Sequence, residues 1–282
     1  MSNKVVLITG VSGGLGRNLA EVAAKHGHTV IGTLRKEEQF ADFRSLAPGK
    51  TFPIKLDVTN RQERERVVQS ILDHYGRIDV LINNAGFGSI GAAEEFTEDE
   101  ARQQFETNFW GAALLTSAVL PHMRAQGSGN IIQISAIGGF VPVPGMTFYG
   151  ASKLALEGFS DSLAAEVAPF GIKVMAVLPG PMRTNWAGSS LKSPEKQVEA
   201  YNETVGKFKG FLASIDGKQP WSAYKTAEAI LEAAFDENAP FRFFVGDYAL
   251  ENAGKQIDRL TNDIEHWREL AQSTKIQEEA IV

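Results

Sequence analysis

The residues best placed for chemistry are Tyr149 and Lys153, in the stretch FYGASKLALEG (148–158). Four positions separate them, so both side chains lie on one face of a helix that begins near this point. A free phenol has a pKa of about 10 and is a poor base at neutral pH. A neighbouring ammonium favours the phenolate, so the pair is expected to lower the pKa of Tyr149. Such a pair also occurs on ordinary helix faces, and other residues must decide between the two interpretations.

Ser135 and Asn108 are the other polar candidates for this site. Ser135 lies near the end of a predicted strand, at the edge where open parallel sheets bind ligands, and loop 137–147 can fold it onto the tyrosine. Lowering a phenol pKa by about 3 units requires about 4 kcal/mol, whereas one exposed ion pair supplies less than about 1 kcal/mol. The site is therefore expected to be partly desolvated and to hold more than one cation.

A glycine-rich loop, TGVSGGLG (9–16), follows an apolar run and precedes a helical pattern. Glycines let the backbone approach a pyrophosphate, and the N-terminus of the following helix attracts its charge. A turn that binds no ligand is the plainer interpretation. The letters also fit G-x-S-x-G, with Ser12 as a hydrolase nucleophile. That elbow needs an oxyanion donor from an earlier strand, and only nine residues precede Gly10.

The end of the second predicted strand bears on the choice of cofactor. Arg35 and Lys36 stand there, where NAD-preferring sites usually carry an acidic residue. A guanidinium pairs well with a 2′-phosphate, so NADP is favoured over NAD, although both cations could simply be solvated. Asp57 suits either an adenine amino group or a helix cap. The NNAG stretch (83–86) suits either a ribose or a turn.

Composition excludes several other classes of protein. The 282 residues are 43% hydrophobic and 22% charged, as in ordinary globular proteins, and the net charge of −6 disfavours nucleic acid. Because cysteine is absent, disulfides, thiolate metal sites and a cysteine nucleophile are excluded, and no metal site is expected. The sequence shows neither a signal-peptide pattern nor an apolar run of about 20 residues. A cytoplasmic protein with a small-molecule substrate and no membrane partner is expected.

The elements that must position these residues alternate between strand and helix. Repeated βαβ units predict an α/β fold, a Rossmann-like doubly wound parallel sheet of about seven strands with helices on both faces. The whole chain (1–282) is expected to form a single dinucleotide-binding and catalytic domain. It includes an irregular substrate-loop region (183–222) and a C-terminal helical tail (249–282). Strands are predicted at 4–9, 29–34, 51–58, 78–86, 130–136, 172–180 and 241–246. The longer helices are predicted at 98–126, 150–168, 223–235 and 249–272.

Taken together, these motifs resemble the short-chain dehydrogenase/reductase family from Lys4 to about Thr184. The family patterns T-G-x-x-x-G-x-G, N-N-A-G, Y-x-x-x-K and P-G-x-x-x-T all occur in order and on the expected elements. They fall on Thr9, Gly10, Gly14 and Gly16; on Asn83 to Gly86; on Tyr149 and Lys153; and on Pro179, Gly180 and Thr184. One departure concerns NADP, because many NADP-dependent members carry a basic residue where this chain has Gly13.

The resemblance implies roles for these positions. Tyr149 would be the general acid/base, Ser135 would hold the substrate oxygen, Lys153 would bind the nicotinamide ribose, and Asn108 would organise a water relay. The cofactor-binding residues would be Thr9, Gly10, Ser12, Gly14, Leu15, Gly16, Arg35, Asp57, Val58, Asn84, Ala85, Gly86, Tyr149, Lys153, Pro179, Gly180 and Thr184. The expected substrate-contacting residues are Phe87, Ile137, Phe140, Val141, Phe148, Met182 and Trp186.

The expected reaction is reversible hydride transfer between NADP(H) and a carbonyl/alcohol pair on an apolar substrate of moderate size. Region 183–222 is expected to order over the substrate as a lid, although its aromatic residues could equally fill the core or a subunit interface. A homodimer or homotetramer through helices 98–126 and 150–168 is implied by the family. The alternatives are a catalytically idle NADP-binding regulator and, more remotely, a serine hydrolase built on Ser12.

Overall fold

A parallel seven-stranded sheet forms the centre of the protein in a computed structural model, which describes residues 3–188 and 190–276. The strands are β1 (Val5–Ile8), β2 (Thr29–Leu34), β3 (Thr51–Lys55), β4 (Val80–Asn83), β5 (Gly129–Ile134), β6 (Ile172–Pro179) and β7 (Arg242–Val245). Their order is β7-β6-β5-β4-β1-β2-β3, and every neighbouring pair is parallel. The chain order reverses between β1 and β4, which is where sheets of this kind bind ligands. The predicted doubly wound sheet is confirmed.

Helices cover both faces of the sheet. Their bounds are α1 (Gly14–Lys25), α2 (Phe40–Leu46), α3 (Arg61–Tyr75), α4 (Glu98–Phe105), α5 (Gly111–Gln126), α6 (Ile137–Phe140), α7 (Thr147–Val167), α8 (Lys207–Ile215), α9 (Ala223–Phe235) and α10 (Asp247–Gln272). Alternate strand residues point to opposite faces. Val6 and Ile8 of β1 pack in the cluster that includes α1, α2 and α9, whereas Leu7 packs in the cluster that includes α3, α5 and α7. Both faces are therefore buried, which explains the continuous apolar runs in the sequence.

The predicted helix 98–126 is interrupted in the structure. A single π-helical turn, Glu106–Trp110, separates α4 from α5. Such turns insert one extra residue into a helix and often mark functional sites. Here the turn carries Asn108, whose side chain is buried.

Region 183–222 has little regular structure. Two short parallel pairings attach it to the rest of the chain: Gly88–Ser89 with Leu191–Lys192, and Met182–Arg183 with Trp221–Ser222. A π-helical turn, Asn202–Gly206, leads into α8. These attachments hold the region over the carboxyl edge of the sheet, where β4 and β6 end.

The C-terminal tail forms α10, and residues 277–282 of the predicted tail lie outside the described residues. Ala249 and Ala253 at its start are buried, but every residue from Ile257 to Ile276 is exposed. Across the residues that the structure describes, no helix is both long enough and apolar enough to cross a membrane.

Candidate active site

The glycine-rich loop between β1 and α1 closes tightly against β4. Gly10 and Gly14 have left-handed φ angles of 72° and 54°, which favour glycine. A Cβ atom on Gly16 would lie 2.3 Å from Asn84 Nδ2, so this position also requires glycine. Nothing lies within 4 Å of a Cβ built on Gly13, which caps α1 without a side-chain hydrogen bond. The N-terminus of α1 therefore faces open space, and this fits the pyrophosphate of a dinucleotide.

Thr9 and Asn84 hold this loop in place. Thr9 Oγ1 accepts hydrogen bonds from the backbone N–H groups of Asn84 and Ala85, each at 2.9 Å. Asn84 Nδ2 donates to the carbonyl oxygens of Thr9 (2.9 Å) and Gly10 (3.0 Å). These predicted cofactor-binding side chains are thus occupied by hydrogen bonds within the protein, and they shape the loop.

The other predicted cofactor residues lie around the same loop. The methyl and Cβ atoms of Thr184 lie within 3.8 Å of a Cβ built on Gly14, so the segment after β6 reaches the glycine loop. Leu15 and Val58 are buried in the core, and Val58 packs against Gly111. Pro179 is the last residue of β6, and Gly180 follows it beside Tyr248.

The end of β2 presents two cations to solvent. Arg35 and Lys36 are both exposed. The Nζ atom of Lys36 lies 3.8 Å from Oε1 of Glu38. Arg35 forms no ion pair with an acidic residue in the described part of the chain. An unpaired guanidinium next to the strand end suits a 2′-phosphate. Asp57 Oδ1 accepts from the backbone N–H (2.9 Å) and hydroxyl (2.7 Å) of Thr59. The cap of α3 is instead Asn60, which accepts from the Glu63 N–H.

Ser135 is hydrogen-bonded to Glu157, an acidic residue outside all of the sequence motifs. Its Oγ donates to Glu157 Oε1 at 2.7 Å, and Glu157 Oε2 accepts from Arg242 Nε at 3.3 Å. Glu157 is fully buried, and burial raises its pKa. A Cβ on Gly139 would lie 2.8 Å from Glu157 Oε1, so only glycine lets the chain after Ser135 approach α7 this closely. The available signal was spacing, because Glu157 follows Lys153 by four residues on the same helix face.

Tyr149 and Lys153 lie four positions apart at the start of α7, the spacing that places them on one helix face, and both are buried. Lys153 Nζ donates to the carbonyl oxygen of Ile134 at 2.8 Å, next to Ser135. The Tyr149 hydroxyl makes no hydrogen bond to any described residue. The fold thus gathers Ser135, Tyr149 and Lys153 at the junction of β5 and α7, but these three side chains do not hydrogen-bond to one another.

Burial dominates the ionisation of this pair. It raises the pKa of Tyr149 above its usual range, so the predicted lowering of that pKa is wrong for this structure. Burial also lowers the pKa of Lys153 to about 8, although the nearby Glu157 carboxylate opposes the shift. The phenol is consequently protonated at neutral pH, which is the form that can give a proton to a carbonyl oxygen.

Asn108 connects the β4 loop to α7. Its Oδ1 accepts from the Phe87 N–H (3.1 Å), and its Nδ2 donates to the Phe87 carbonyl (3.0 Å) and to Ser152 Oγ (3.2 Å). A Cβ on Gly86 would lie 3.0 Å from Asn108 Oδ1 and 3.4 Å from Lys153 Nζ. Gly86 is itself exposed. The missing side chain at Gly86 leaves a cradle beside the lysine that fits a ribose.

An apolar cluster covers Tyr149. The Trp186 ring lies 5.3 Å from the Tyr149 ring, centroid to centroid. The cluster also contains Ile90, Ala136, Met146 and Leu212, with Val143, Leu191, Phe208 and Ile215 packed against it. Four of these eight residues belong to region 183–222, so that region closes over the phenol.

Most of the predicted substrate-contacting residues lie elsewhere. Ile137, Phe140 and Val141 pack with Ala249 and Ala253 at the base of α10. Phe148 packs on Phe96 with ring centroids 5.3 Å apart, and Met182 packs against the core cluster that contains α9. Of the seven, Trp186 contacts the tyrosine ring, and the Phe87 backbone binds Asn108. Met146, Phe208 and Leu212 were missed, although they fall in segments that the sequence analysis marks.

The structure gives no support to a nucleophilic Ser12. Its side chain is exposed, and its hydroxyl finds no hydrogen-bond partner among residues 3–188 and 190–276. A serine nucleophile needs an adjacent base, and none contacts this one. The described residues also contain no group of His, Asp or Glu side chains that could hold a metal ion.

Known proteins resemble this chain over most of its length. A family model described as short chain dehydrogenase matches residues 4–195. Oxidoreductase BOA17 of Botryotinia fuckeliana is 41% identical over 269 residues, covering 95% of this chain and 98% of that protein. The 3-ketodihydrosphingosine reductase of Bacteroides thetaiotaomicron is 39% identical, covering 87% and 89%. A short-chain dehydrogenase structure from Streptomyces avermitilis has a TM-score of 0.90 and 40% identity, covering 98% of this chain and 100% of that one.

Proposed function

The chain belongs to the short-chain dehydrogenase/reductase family, and from this premise we propose that it is an NADP(H)-dependent ketoreductase for an apolar substrate of moderate size. Oxidoreductase activity on a CH–OH/C=O pair with a nicotinamide cofactor is common to the family. The observation that carries the finer proposal is the position of the Tyr149 phenol, which is buried beside Lys153 under an apolar cover. The proposal treats residues 1–282 as one dinucleotide-binding and catalytic unit.

The residues present fit a dinucleotide along the carboxyl edge of the sheet. The N-terminus of α1 would hold the pyrophosphate, Arg35 the 2′-phosphate, and the free Oδ2 of Asp57 the adenine amino group. The Gly86 cradle beside Lys153 would hold the nicotinamide ribose. When bound, the cofactor supplies or accepts the hydride.

In the proposed reduction, Tyr149 donates its proton to the carbonyl oxygen as the carbonyl carbon gains a hydride, which gives the alcohol. Ser135, whose single hydroxyl proton is donated to Glu157 in this structure, would turn that proton to the same oxygen when substrate is bound. Lys153, charged below a pKa of about 8, stabilises the phenolate that remains. The apolar cover excludes water from these steps, which strengthens each electrostatic interaction. Oxidation is the reverse, with the tyrosinate as base.

The substrate class follows from what surrounds Tyr149. Trp186, Met146, Leu212 and Phe208 offer aliphatic and aromatic surface around the phenol. A ketone within an apolar chain or ring fits this surface. The relative named as a 3-ketodihydrosphingosine reductase, which its name says acts on a ketone, supports this class.

A panel of ketones tests the proposal. Ketone-dependent oxidation of NADPH should appear, and kcat/KM should rise as the apolar chain lengthens, because each added methylene buries more surface. Charged keto acids of equal length are the matched comparison. A preference for the keto acids, or binding of NADPH with no turnover of any ketone, would contradict the proposal; the second outcome would favour a cofactor-binding regulator.

We expect Arg35→Asp to lower kcat/KM for NADPH by at least about tenfold, because a charge-assisted pair with the 2′-phosphate is lost and repulsion replaces it. The value for NADH should stay level or rise, since an acidic residue can bind the 2′-hydroxyl. Parallel assays with both cofactors measure the ratio. Arg124→Asp, an equal charge change at the exposed C-terminal end of α5, should leave it unchanged. An equal loss of kcat/KM with NADPH and NADH would show that Arg35 does not bind the 2′-phosphate.

Members of this family are commonly oligomeric, and we infer a homodimer through α5 and α7. Trp110, Leu114 and Leu154 are 45%, 42% and 52% exposed on this side, although each is large and apolar. Leu154→Glu should therefore halve the molar mass measured by light scattering, because a charge would be buried in the contact. Asn238→Glu adds the same charge at an exposed loop and should leave the mass unchanged. Equal masses for parent and Leu154→Glu would rule out this interface.

A further inference from the structure

The far part of α10 has no packing partner among the described residues. Beyond Ala253 the helix leaves the body of the protein, and from Ile257 to Ile276 every residue is exposed. Its large apolar residues are nevertheless numerous; Ile257, Ile264 and Trp267 are 51%, 61% and 57% exposed. Most of the stability of a helix in a protein comes from packing its apolar face against another surface. The helix therefore presents an apolar face that another surface must cover.

The apolar residues of α10 follow a heptad pattern. Beyond the buried Ala253, the residues Ile257, Leu260, Ile264, Trp267 and Ala271 are spaced alternately by three and four positions, and the exposed Leu270 borders this row beside Ala271. This 3.5-residue repeat keeps one narrow seam on the helix and is the pattern of a left-handed coiled coil. The three-residue steps begin at Ile257 and Ile264, so isoleucine occupies position a and leucine or tryptophan position d. Isoleucine at a with leucine at d favours two parallel strands.

We propose that this seam, the α10 seam, pairs with the same seam of a second copy of the chain in a parallel two-stranded coiled coil. The two copies would be related by a two-fold axis along the helices, so each contact occurs twice. The α5/α7 surface lies on other helices. The α10 seam would thus supply a second contact, one that joins α5/α7 dimers into a larger assembly, and it rests on neither the proposed activity nor the cofactor.

Charge complementarity sets the orientation. Asp263 occupies position g and Arg268 the following position e, which face each other across a parallel pair. Asp263 has no cation partner within the described chain, while Arg268 pairs only with Glu265 on its own helix. A parallel pair brings Asp263 of each copy to Arg268 of the other. An antiparallel pair centred on the seam would instead oppose the two Asp263 carboxylates.

A lipid surface fits this helix less well. Helices that lie on membranes usually carry Lys and Arg on the polar face. The polar positions of α10 carry three basic residues and six acidic ones. The basic residues are Lys255, Arg259 and Arg268; the acidic ones are Asp247, Glu251, Asp258, Asp263, Glu265 and Glu269. An acidic helix is repelled by anionic headgroups, so a second copy is the occupant that both charge and spacing favour.

The first test changes the seam in the full-length protein. Ile264→Glu places a charge in the seam, whereas Asn262→Glu places the same charge at position f on the opposite face. Sedimentation equilibrium should show that Ile264→Glu halves the molar mass of the parent assembly and Asn262→Glu leaves it unchanged. Far-ultraviolet circular dichroism should confirm that both variants keep the folded sheet. An unchanged mass for Ile264→Glu across the concentration range would overturn the proposal.

The second test addresses orientation and the competing surface. Asp263→Arg and Arg268→Asp should each weaken the assembly, and the double variant should restore it, because the exchanged charges again oppose each other. Failure of the double variant to restore the mass would overturn the parallel arrangement. Flotation with phosphatidylcholine/phosphatidylglycerol vesicles should leave the parent protein unbound. Vesicle binding that Ile264→Glu abolishes, with no change in molar mass, would assign the seam to a membrane and overturn the proposal.

Discussion

Replacing Tyr149 with phenylalanine is expected to lower kcat for ketone reduction by about 10²- to 10⁴-fold, the usual contribution of a positioned general acid. Only the hydroxyl is removed, and that hydroxyl makes no hydrogen bond to a described residue, so the fold loses no internal bond. The ring keeps its contact with Trp186, 5.3 Å away. Affinity for NADPH should change by less than about twofold, because the dinucleotide binds mainly to the glycine loop and the β2 end.

Stopped-flow hydride transfer, together with NADPH fluorescence titration, separates these two effects for the Tyr149→Phe variant. Tyr75→Phe is the matched control, since Tyr75 is a half-buried tyrosine of α3 that packs on Phe52, away from the site. The control should turn over at the parent rate. If Tyr149→Phe also turned over at the parent rate, the proton would have to come from another group, and the proposed mechanism would be wrong.

The sheet could be predicted closely because its strands are buried on both faces. The prediction of 29–34 matches Thr29–Leu34 residue for residue, and 172–180 matches Ile172–Pro179 to within one residue. Continuous apolar runs between glycine-rich turns leave few alternatives for such strands. The position of Tyr149 and Lys153 on one helix face follows from the same local geometry, because i and i+4 always lie together.

Features that depend on contacts between distant segments could not be predicted. The π-helical turn at Glu106–Trp110 leaves no signature in the periodicity of the sequence. The bond from Ser135 to Glu157 requires that loop and helix meet at Gly139, which only the folded chain shows. The pKa of Tyr149 was predicted in the wrong direction because the sequence shows a neighbouring cation but not the depth of burial.

The substrate side shows the same limit most clearly. Substrate contacts were predicted between Phe87 and Trp186, and region 183–222 was expected to cover the substrate, but the sequence does not say which residues face Tyr149. The structure divides them: Met146 and Leu212 join the cluster around the phenol, whereas Phe140 and Val141 pack at the base of α10. Composition therefore predicted an apolar cover, and tertiary packing chose its members.

Lys153→Met is expected to abolish most activity and yet to raise the free energy of unfolding at pH 7. The ammonium is buried, and burial lowers its pKa from 10.5 to about 8, so the folded state bears a charge that it disfavours. That shift corresponds to a penalty on the order of 3 kcal/mol. Methionine removes the charge but leaves the Ile134 carbonyl without its donor, which costs about 1 kcal/mol. A net gain of about 1–2 kcal/mol is expected, while kcat/KM for reduction falls by at least about 100-fold.

The dependence on pH distinguishes this explanation from a general packing effect. Below pH 8 both folded and unfolded chains hold the Lys153 proton, so the parent bears the full penalty. Between pH 8 and 10.5 the folded state releases its proton first, the unfolded state binds more protons, and the parent becomes more stable relative to the variant. Urea unfolding at pH 7 and pH 10 should therefore show the variant's advantage shrinking, whereas Lys225→Met, at an exposed site on α9, should show no such trend. A variant less stable than the parent at pH 7 would mean that the ammonium is not penalised by burial, and that polar groups around it already compensate its charge.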